Sequence, residues 1–499
     1  METSVILISL LSLLPIILLT LIYKTTGTKN KNLPPGPPSR PIVGNLFQLD
    51  GTDLHTCLYK LASRYGPILS LKLGFRHGLV ISSAKMAREA LKTNDLIFAS
   101  RPLLTGLYTM SYSGHDVAFA EYNDYWREMR KLTTVHLFNL KRVMTYSPIR
   151  KDEISRMLKK IGNLADESQL VDLSALTMSL TCNIICRAAF GKRYEANGED
   201  AKRFHDLLLD TQASFGQLYF RDYLPFMGWL DVLNGAMSRL KSIFKRMDDF
   251  YQQIIDEHLD PNRPKAEVED FMDVMIGIKK TSKDLTWDQI KGVLMNVFVA
   301  GSETSASSLV WGMCLLAMNP SILKKATDEI RSAVGHKEYV DEDDTSKLPY
   351  LKAVVKEIMR MYTATPLLVP RETTEKSTVG GYEIPAKTLV YVNAWAIGRD
   401  PDEWEKPHDF YPDRFEGKDI DFKGTDFELI PFGAGRRICP GIHMGSLTVE
   451  VGLANLLNGF DWKLPDGVKN EDIDMSATTG IVMHKRVPLF LEVKRYVSP

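Results

Sequence analysis

Apolar residues recur at intervals of three and four along most of the chain, a spacing that places them on one face of a helix. This pattern predicts helices over residues 123–133, 150–163, 172–190, 200–216, 235–258, 285–318, 320–334 and 349–362. No stretch between residues 42 and 499 has the composition of an interdomain linker, so we expect these helices to share one domain.

Short extended runs with turn residues around them interrupt the helical pattern. They lie at residues 67–74, 78–83, 376–384, 387–392 and 487–494, and the first two predict a hairpin. The residues between "EVED" (267–270) and "LTWDQIKG" (285–292) are expected to be loops. The predicted fold class is therefore mainly α, with small peripheral β-sheets, over residues 42–499.

The first residues follow a different pattern, an uncharged apolar run over residues 5–22. Its length is close to the roughly 20 residues that cross a bilayer as a helix. A cleaved signal peptide is the alternative, but Glu2 stands where a positive region is expected and no A-x-A-like site follows. Lysines follow directly between residues 24 and 31, which favours a cytoplasmic location for the rest of the chain. We expect residues 1–23 to be a single-pass transmembrane helix that is retained as an anchor.

A proline-rich stretch follows the predicted anchor. "LPPGPPSRP" (33–41) contains five prolines, which favour a stiff, non-helical spacer. Residues 24–41 are thus predicted to form a basic and proline-rich hinge between the membrane and the globular domain.

Composition narrows the function classes. The chain has 62 basic and 62 acidic residues and no long charged block, so nothing indicates nucleic-acid binding. Its five cysteines are too sparse for a disulfide framework and have no zinc-type spacing, which fits a reducing compartment. Cys182 and Cys186, four apart in an apolar run, are predicted to be buried in a helix.

The predicted helix over 285–318 is apolar at both ends but polar at its centre. Gly301 costs a helix interior up to about 1 kcal/mol relative to alanine, and Ser302, Glu303 and Thr304 follow it. Such a turn suggests a groove where a small molecule binds and accepts protons. A helix with mildly unfavourable residues is the alternative.

Three further arginine motifs stand out. "KEIMRMY" places Glu357 and Arg360 on one helix face, although Glu153 and Arg156 repeat the same E-x-x-R spacing elsewhere. Arg414 in "FYPDRF" is a candidate third member of a buried charge network.

In "YWREMRK" (125–131), Trp126 and Arg130 lie one helical turn apart. An indole and a guanidinium are both donors only, which suits a carboxylate ligand, although an ordinary helix face is the alternative.

"PFGAGRRICPG" (431–441) surrounds a single cysteine with glycines and arginines. Gly433 and Gly435 begin like a dinucleotide fingerprint, but Ile438 occupies the third glycine position and no Rossmann unit precedes it. Positive charge near Cys439 favours the thiolate that binds metals, and glycines allow a flat ligand to approach closely. A single soft ligand without a second cysteine nearby points away from zinc and towards haem.

Several of these motifs together resemble the cytochrome P450 family. Its F-x-x-G-x-R-x-C-x-G signature is matched by Phe432, Gly435, Arg437, Cys439 and Gly441. "AGSETS" (300–305) is similar to the family's oxygen-activating motif, and the E-x-x-R and P-x-R-F elements occur in the family's order. The proline hinge, "WREMRK" and the complete cysteine loop resemble the plant A-type branch, the 71 clan.

The resemblance implies a cytochrome P450 fold and a haem b whose iron is held by Cys439 as axial thiolate. It implies that Thr304 and Glu303 organise protons for O₂ activation, and that Glu357, Arg360 and Arg414 brace the cysteine loop. The implied haem contacts are Trp126, Arg130, Arg371 and Arg437 to the propionates, with Phe432, Gly433 and Gly441 in the cysteine loop. The implied substrate-contacting segments are 103–115, 207–220, 296–304, 365–369 and 478–482.

Two departures from the family pattern affect the pocket more than the haem site. After Arg360, "MYTATP" retains only Pro366 of the usual L-x-P-P. Ser302 and Glu303 replace a small residue and an Asp, although Glu303 keeps the carboxylate.

The resemblance finally implies a monooxygenase of the endoplasmic reticulum membrane. It would insert one oxygen atom from O₂ into a small apolar plant metabolite of the terpenoid, alkaloid, phenylpropanoid or aldoxime class. Its electrons would come from NADPH through a separate NADPH–cytochrome P450 reductase. A P450-type isomerase, dehydratase or oxidative coupling enzyme is one alternative, and a non-enzymatic haem-binding membrane protein is another.

Overall fold

The computed structural model describes residues 32–194, 199–264, 268–282, 284–478 and 480–497. The predicted membrane anchor (1–23) and the first part of the predicted hinge lie outside these residues.

Helices form most of the described chain. In chain order they are α1 (Leu54–Tyr65), α2 (Ala84–Arg88), α3 (Thr105–Met110), α4 (Asp124–His136), α5 (Leu140–Thr145), α6 (Ser147–Asp166), α7 (Leu173–Phe190), α8 (Glu199–Gly216), α9 (Phe220–Tyr223), α10 (Leu230–Leu233), α11 (Ala236–Leu259), α12 (Phe271–Thr281), α13 (Trp287–Met318), α14 (Pro320–Val334), α15 (Glu342–Thr345), α16 (Pro349–Met361), α17 (Ala394–Ile397) and α18 (Ile442–Gly459). A π-helical turn (Glu89–Thr93) extends α2, and 3₁₀ turns lie at Leu46–Gln48, Pro225–Met227, Pro412–Phe415, Gly435–Arg437 and Asn470–Asp472.

The strands form small sheets around the helices. They are β1 (Ile68–Leu73), β2 (Arg76–Ile81), β3 (Val171–Asp172), β4 (Arg371–Glu372), β5 (Ser377–Val379), β6 (Tyr382–Ile384), β7 (Leu389–Val392), β8 (Phe460–Lys463), β9 (Ala477–Thr478), β10 (His484–Lys485) and β11 (Phe490–Arg495). One sheet has the order β1-β2-β7-β4, in which β2 and β7 are parallel, and a second has the order β3-β11-β8. The pairs β5-β6 and β9-β10 stand alone. The predicted mainly α fold with small peripheral sheets is confirmed.

Helix α13 is the axis of the core. It begins with a capping box, in which Thr286 and Gln289 exchange side-chain to backbone hydrogen bonds. It packs against α7, α16 and α18, and most of its side chains are buried. The helix continues through Gly301. The glycine allows α13 to pack closely against α7, because a Cβ at this position would lie 2.6 Å from Ile185.

Helix α7 is also long and apolar enough to cross a membrane, with a mean hydropathy of 1.4 over 18 residues. It is nevertheless part of the core, where it packs along α13. Cys182 and Cys186 are buried in it, as the sequence predicts.

The structure corrects the sequence-based expectation for the segment between residues 270 and 285. It contains the helix α12, which Asp270 and Asp273 cap by reciprocal hydrogen bonds, rather than loops alone. The predicted strand over 376–384 is a hairpin of β5 and β6, since Gly380 and Gly381 both adopt positive φ and form a two-residue turn.

Candidate active site

The cysteine loop, residues 431–441, precedes α18 and is closed by its own backbone. The Cys439 N–H donates to the Phe432 carbonyl at 2.9 Å. Gly433 has a φ of +70°, which a glycine adopts without strain, and a Cβ there would lie 3.7 Å from Leu368 and 4.0 Å from the Arg437 carbonyl oxygen. Phe432, Gly433, Cys439 and Gly441 all lie on the wall of a cavity.

Gly435 has a different role from the one expected. A Cβ at this position would lie 2.2 Å from the Leu91 carbonyl oxygen, in the π-helical turn after α2. Gly435 is also absent from the cavity wall. It is therefore needed for packing against another segment of the chain, and not for the approach of a flat ligand.

The cavity has a volume of about 280 Å³ and lies between α13 and the cysteine loop. Its wall is largely apolar and includes Val117, Phe119, Ile184, Ile185, Phe215, Val297, Leu368, Val369 and Ile481. Four of the five segments expected to contact substrate contribute to it. The segment 103–115 contributes no side chain, and the neighbouring residues 117–119 take its place.

The environment of the Cys439 thiol has two opposing effects on its pKa. Burial raises the pKa of Cys439, whereas the Gly441 N–H and the positive charge of Arg130 oppose that rise. The donors that favour the thiolate are thus present beside a sulfur that is partly buried.

Four buried or largely buried guanidinium groups lie on the same cavity wall, and we refer to Arg101, Arg130, Arg371 and Arg437 as the arginine cluster. Among the described residues, no carboxylate forms an ion pair with any of them. Backbone carbonyls accept their hydrogen bonds instead, such as those of Phe98 and Ala434 for Arg371.

Electrostatics in the arginine cluster are unfavourable without a further anion. Burial and repulsion from Arg371 and Arg130 lower the pKa of Arg437 to about 9, and burial lowers that of Arg371 to about 10. The pKa of Arg101 is also lowered, by burial and then by Arg437 and Arg371. Asp116 lies nearby, but burial raises the pKa of its carboxyl to about 6. The cluster therefore fits a ligand that carries carboxylates, as the propionates of haem do.

The structure places three of the four predicted propionate ligands, Arg130, Arg371 and Arg437, on the cavity wall. Trp126 lies elsewhere: its indole N–H donates to the Val117 carbonyl at 2.9 Å. Its ring lies 3.9 Å from the Arg437 guanidinium and supports that side chain by a cation–π contact.

Arg101 is a site residue that sequence reasoning missed. Its guanidinium donates to the carbonyls of Ala118, Val369 and Pro370, so it joins two stretches of the cavity wall. It stands in "ASRP" with no motif around it. No local signal in the sequence distinguishes it from a surface arginine.

The side chains of the polar turn of α13 lie on two different sides of the helix. Thr304 is on the cavity wall, and its hydroxyl donates to the Ala300 carbonyl at 2.8 Å. Glu303 is buried, and its carboxylate contacts His484 of β10 at 3.0 Å. His484 is a second residue that the sequence did not single out.

The charge network predicted from the E-x-x-R motif is confirmed. Glu357 and Arg360 form a fully buried pair with contacts of 2.7 and 2.8 Å, and Arg414 reaches the same carboxylate at 3.1 Å. The second E-x-x-R does not pair internally. Glu153 binds Arg187 and Arg193, whereas Arg156 binds Asp152.

The geometry fits a class of protein that holds an anionic ligand beside a cysteine and admits a small apolar molecule. Comparison with known proteins then specifies the family. The family description "Cytochrome P450" matches residues 34–491. The chain belongs to the cytochrome P450 family and, within it, resembles plant members of the 71 clan; as such it is a monooxygenase, and the family implies a haem cofactor.

Three plant relatives illustrate the similarity. The chain is 46% identical over 487 residues to 5-OH-xanthotoxin synthase of Pastinaca sativa, covering 96% of each chain. It is 44% identical to cytochrome P450 83A1 of Arabidopsis thaliana, covering 94% of this chain and 95% of that one. It is 43% identical to strychnine-11-hydroxylase of Strychnos nux-vomica, covering 92% and 91%.

A solved structure of a zebra fish cytochrome P450 with abiraterone has the same fold. It superposes with a TM-score of 0.74 at 25% sequence identity and covers 89% of this chain and all of that one.

Proposed function

We propose that this protein is a haem-thiolate monooxygenase that inserts one oxygen atom from O₂ into a ring-containing apolar plant metabolite. The second oxygen atom leaves as water, at the expense of two electrons and two protons. The observation that carries the proposal is the position of Cys439 on the wall of an apolar cavity that also contains the arginine cluster.

The residues present fit haem b. Cys439 would hold its iron, and Arg101, Arg130, Arg371 and Arg437 would hold its propionates. When bound, the haem supplies the activation of O₂, and a thiolate ligand favours cleavage of the O–O bond.

The chain's own residues bind the substrate and manage protons. Phe119, Phe215 and Ile481 enclose the substrate and exclude water. Thr304 lies on the cavity wall, and its hydroxyl can pass a proton inwards from the polar turn of α13.

The substrate class follows from the cavity and the relatives. Among polar side chains on the wall, the Gln212 amide nitrogen is buried and has no hydrogen-bond partner in the part of the chain that the structure describes. A substrate oxygen could accept from it, which favours an oxygenated ring system over a pure hydrocarbon. The relatives' names include 6,7,8-trihydroxycoumarin synthase and strychnine-11-hydroxylase, so coumarin and alkaloid substrates should be tested first.

We propose that the electrons come from NADPH through a separate cytochrome P450 reductase, and that the protein lies on the endoplasmic reticulum membrane with its catalytic domain in the cytoplasm. The apolar run at residues 5–22 supports the anchor. An exposed apolar surface supports contact with lipid: Phe226, Trp229 and Leu233 are 56%, 58% and 74% exposed, and Phe226 packs against exposed Phe75.

Microsomes that contain the protein and a plant reductase test this function. They are incubated with NADPH and a library of coumarins and alkaloids, and products are identified by mass spectrometry. We expect a product that is heavier by one oxygen atom and that requires both NADPH and reductase. Product formation without NADPH would instead support an isomerase or dehydratase, and coupled products an oxidative coupling enzyme. The absence of turnover across the library would support a non-enzymatic haem-binding protein.

A further inference from the structure

Residues 117–120 lie between α3 and α4 in neither a helix nor a strand, and we refer to them as the wall loop. Val117, Ala118 and Phe119 are on the cavity wall. Backbone groups in such a segment have no helix or sheet to bond with, so other partners must satisfy them. These partners show what holds this part of the cavity wall in place.

Two side chains accept hydrogen bonds from every N–H group of the wall loop. Oδ1 of Asn296, on α13, accepts from the first two residues of the loop at 2.9 and 3.0 Å. Oδ1 of Asp116 accepts from the last two at 2.9 and 2.8 Å. The two side chains also bond to each other, since Nδ2 of Asn296 donates to Oδ2 of Asp116 at 2.8 Å.

The carbonyl groups of the wall loop hold two members of the arginine cluster. Arg437 donates to the carbonyls of Val117 and Ala120 at 3.3 and 2.6 Å. Arg101 donates to the Ala118 carbonyl at 2.9 Å. The other two members of the cluster use acceptors elsewhere in the chain. The wall loop therefore connects its two side-chain acceptors to half of the arginine cluster.

Asp116 is fully buried but is absent from the cavity wall, so it influences the cavity only through the groups that it holds. Burial raises the pKa of its carboxyl to about 6, although its three hydrogen-bond donors and Arg437 favour the ionised form. A buried carboxylate needs each of its donors, because the loss of one leaves a charged oxygen unsatisfied. The carboxylate thus fixes the path of the wall loop.

We propose that Asp116 is a positioning residue for the cofactor. Through the wall loop it holds Arg101 and Arg437 in the orientation in which they donate to the propionates of haem. The same loop contributes Phe119 to the cavity wall, so Asp116 also connects the substrate wall to the cofactor site. The inference rests on the haem binding of the proposed function.

An exchange of the two side-chain acceptors tests this role. In Asp116→Asn the new amide nitrogen faces Nδ2 of Asn296, so two donors meet and the bond between the side chains is lost. In the double variant Asp116→Asn/Asn296→Asp, donor and acceptor have changed places. The bond then forms in the opposite direction, with the net charge and the shape of the pair conserved.

Transfer of haem to apomyoglobin is the first measurement. We expect Asp116→Asn to lose haem about tenfold faster than wild type, since the bond that it loses is one to a charged group. It should still bind haem, because Arg130 and Arg371 keep their own acceptors. The double variant should lose haem within about threefold of the wild-type rate.

The resonance Raman spectrum of the bound haem supplies a second readout, which does not depend on turnover. Its propionate bending modes respond to the hydrogen bonds that the propionates accept, and a merely structural role for Asp116 would not move them. These modes should shift in Asp116→Asn and return to the wild-type position in the double variant.

Asp231→Asn is a matched control. Asp231 is also fully buried and accepts from two backbone N–H groups, those of Phe220 and Arg221, at 2.8 and 3.0 Å. Neither of these residues is on the cavity wall. Asp231→Asn should lower Tm without changing the rate of haem transfer or the propionate modes.

Wild-type haem transfer in Asp116→Asn would overturn the inference, as would a double variant that is not rescued. Equal acceleration in Asp231→Asn would also overturn it, because haem loss would then follow general destabilisation. If Asp116→Asn fails to fold, the double variant decides: wild-type retention supports the inference and a tenfold loss overturns it. Failure of the proposed function is a different result, namely that wild type itself binds no haem.

Discussion

Two groups of buried arginines in this protein differ in what neutralises them. Arg360 and Arg414 share the carboxylate of Glu357, and their remaining N–H groups donate to backbone carbonyls such as that of Asp409. The arginine cluster on the cavity wall has comparable burial and comparable carbonyl partners, but no described carboxylate forms an ion pair with it.

The comparison separates a structural network from a binding site. A buried cation is tolerated when a counter-charge and hydrogen bonds accompany it. The Glu357 network meets both conditions within the chain, so it can support the fold by itself. The arginine cluster meets only the second condition, so its counter-charge must come from a ligand.

Removal of the carboxylate from the Glu357 network should have the largest effect on stability. In Glu357→Ala the two arginines remain buried without a counter-charge, which should destabilise the folded protein by about 3–5 kcal/mol. Urea unfolding of the haem-loaded protein measures this loss. A change below about 1 kcal/mol would show that the Glu357 carboxylate is not the counter-charge on which the two buried arginines depend.

Removal of one member of the arginine cluster should affect ligand retention more than folding. Arg371→Met removes a charge that other arginines repel, but it also removes a donor for a propionate. We expect haem to dissociate about 10 to 100 times faster, since a hydrogen bond to a charged group contributes about 1.5–3 kcal/mol. Transfer of haem to apomyoglobin gives the rate. An unchanged rate would mean that Arg371 does not hold the cofactor.

Glu450 on α18 extends the comparison to a partly buried carboxyl that lacks enough positive charge around it to keep its pKa at the ordinary value. Burial raises its pKa to about 6 from an ordinary 4.5, despite Lys352 and Lys356. The folded protein therefore binds more protons than the unfolded chain between about pH 4.5 and 6, and the free energy of unfolding falls as pH rises through that window.

Glu450→Gln should remove this dependence. We expect the variant to be more stable than wild type by about 2 kcal/mol at pH 7 and equally stable near pH 4, where both forms are uncharged. Urea midpoints at the two pH values measure it. If the stability difference between Glu450→Gln and wild type is the same at pH 4 and pH 7, the pKa of Glu450 is not raised in the folded protein.

The second E-x-x-R motif should give the smallest effect. Arg156 is half-exposed and bonds Asp152 rather than Glu153. Arg156→Ala should change the free energy of unfolding by less than about 0.5 kcal/mol. A loss as large as that of Glu357→Ala would mean that the motif's spacing, and not its burial, determines its contribution.

Much of the fold could be predicted from the sequence where local signals agree. The expected helix over 172–190 matches α7 (Leu173–Phe190), because Asp172 caps its start and Gly191 ends it in a left-handed conformation. Helix α18 was not predicted. It is apolar on nearly every side, so it has little helical periodicity to detect.

The site residues also divide into those that local sequence motifs identify and those that they do not. Cys439 and Thr304 stand in dense local motifs and were identified from sequence. Arg101 and His484 contact residues that are distant in the sequence. Arg101 donates to the Pro370 carbonyl, 269 positions away, and His484 contacts Glu303, 181 positions away. Such pairings depend on how β10 and the cavity wall fold onto α13, and no local pattern in the sequence encodes them.

The central claim is that Cys439 holds the iron of a haem at the cavity wall. Its most direct test is the absorption spectrum of the dithionite-reduced protein with carbon monoxide, recorded for wild type, Cys439→Ala and Arg156→Ala. Wild type and Arg156→Ala should show the red-shifted Soret band from which the family takes its name, and Cys439→Ala should lack it. A wild-type spectrum without that band, or a Cys439→Ala protein that retains it, would contradict the assignment.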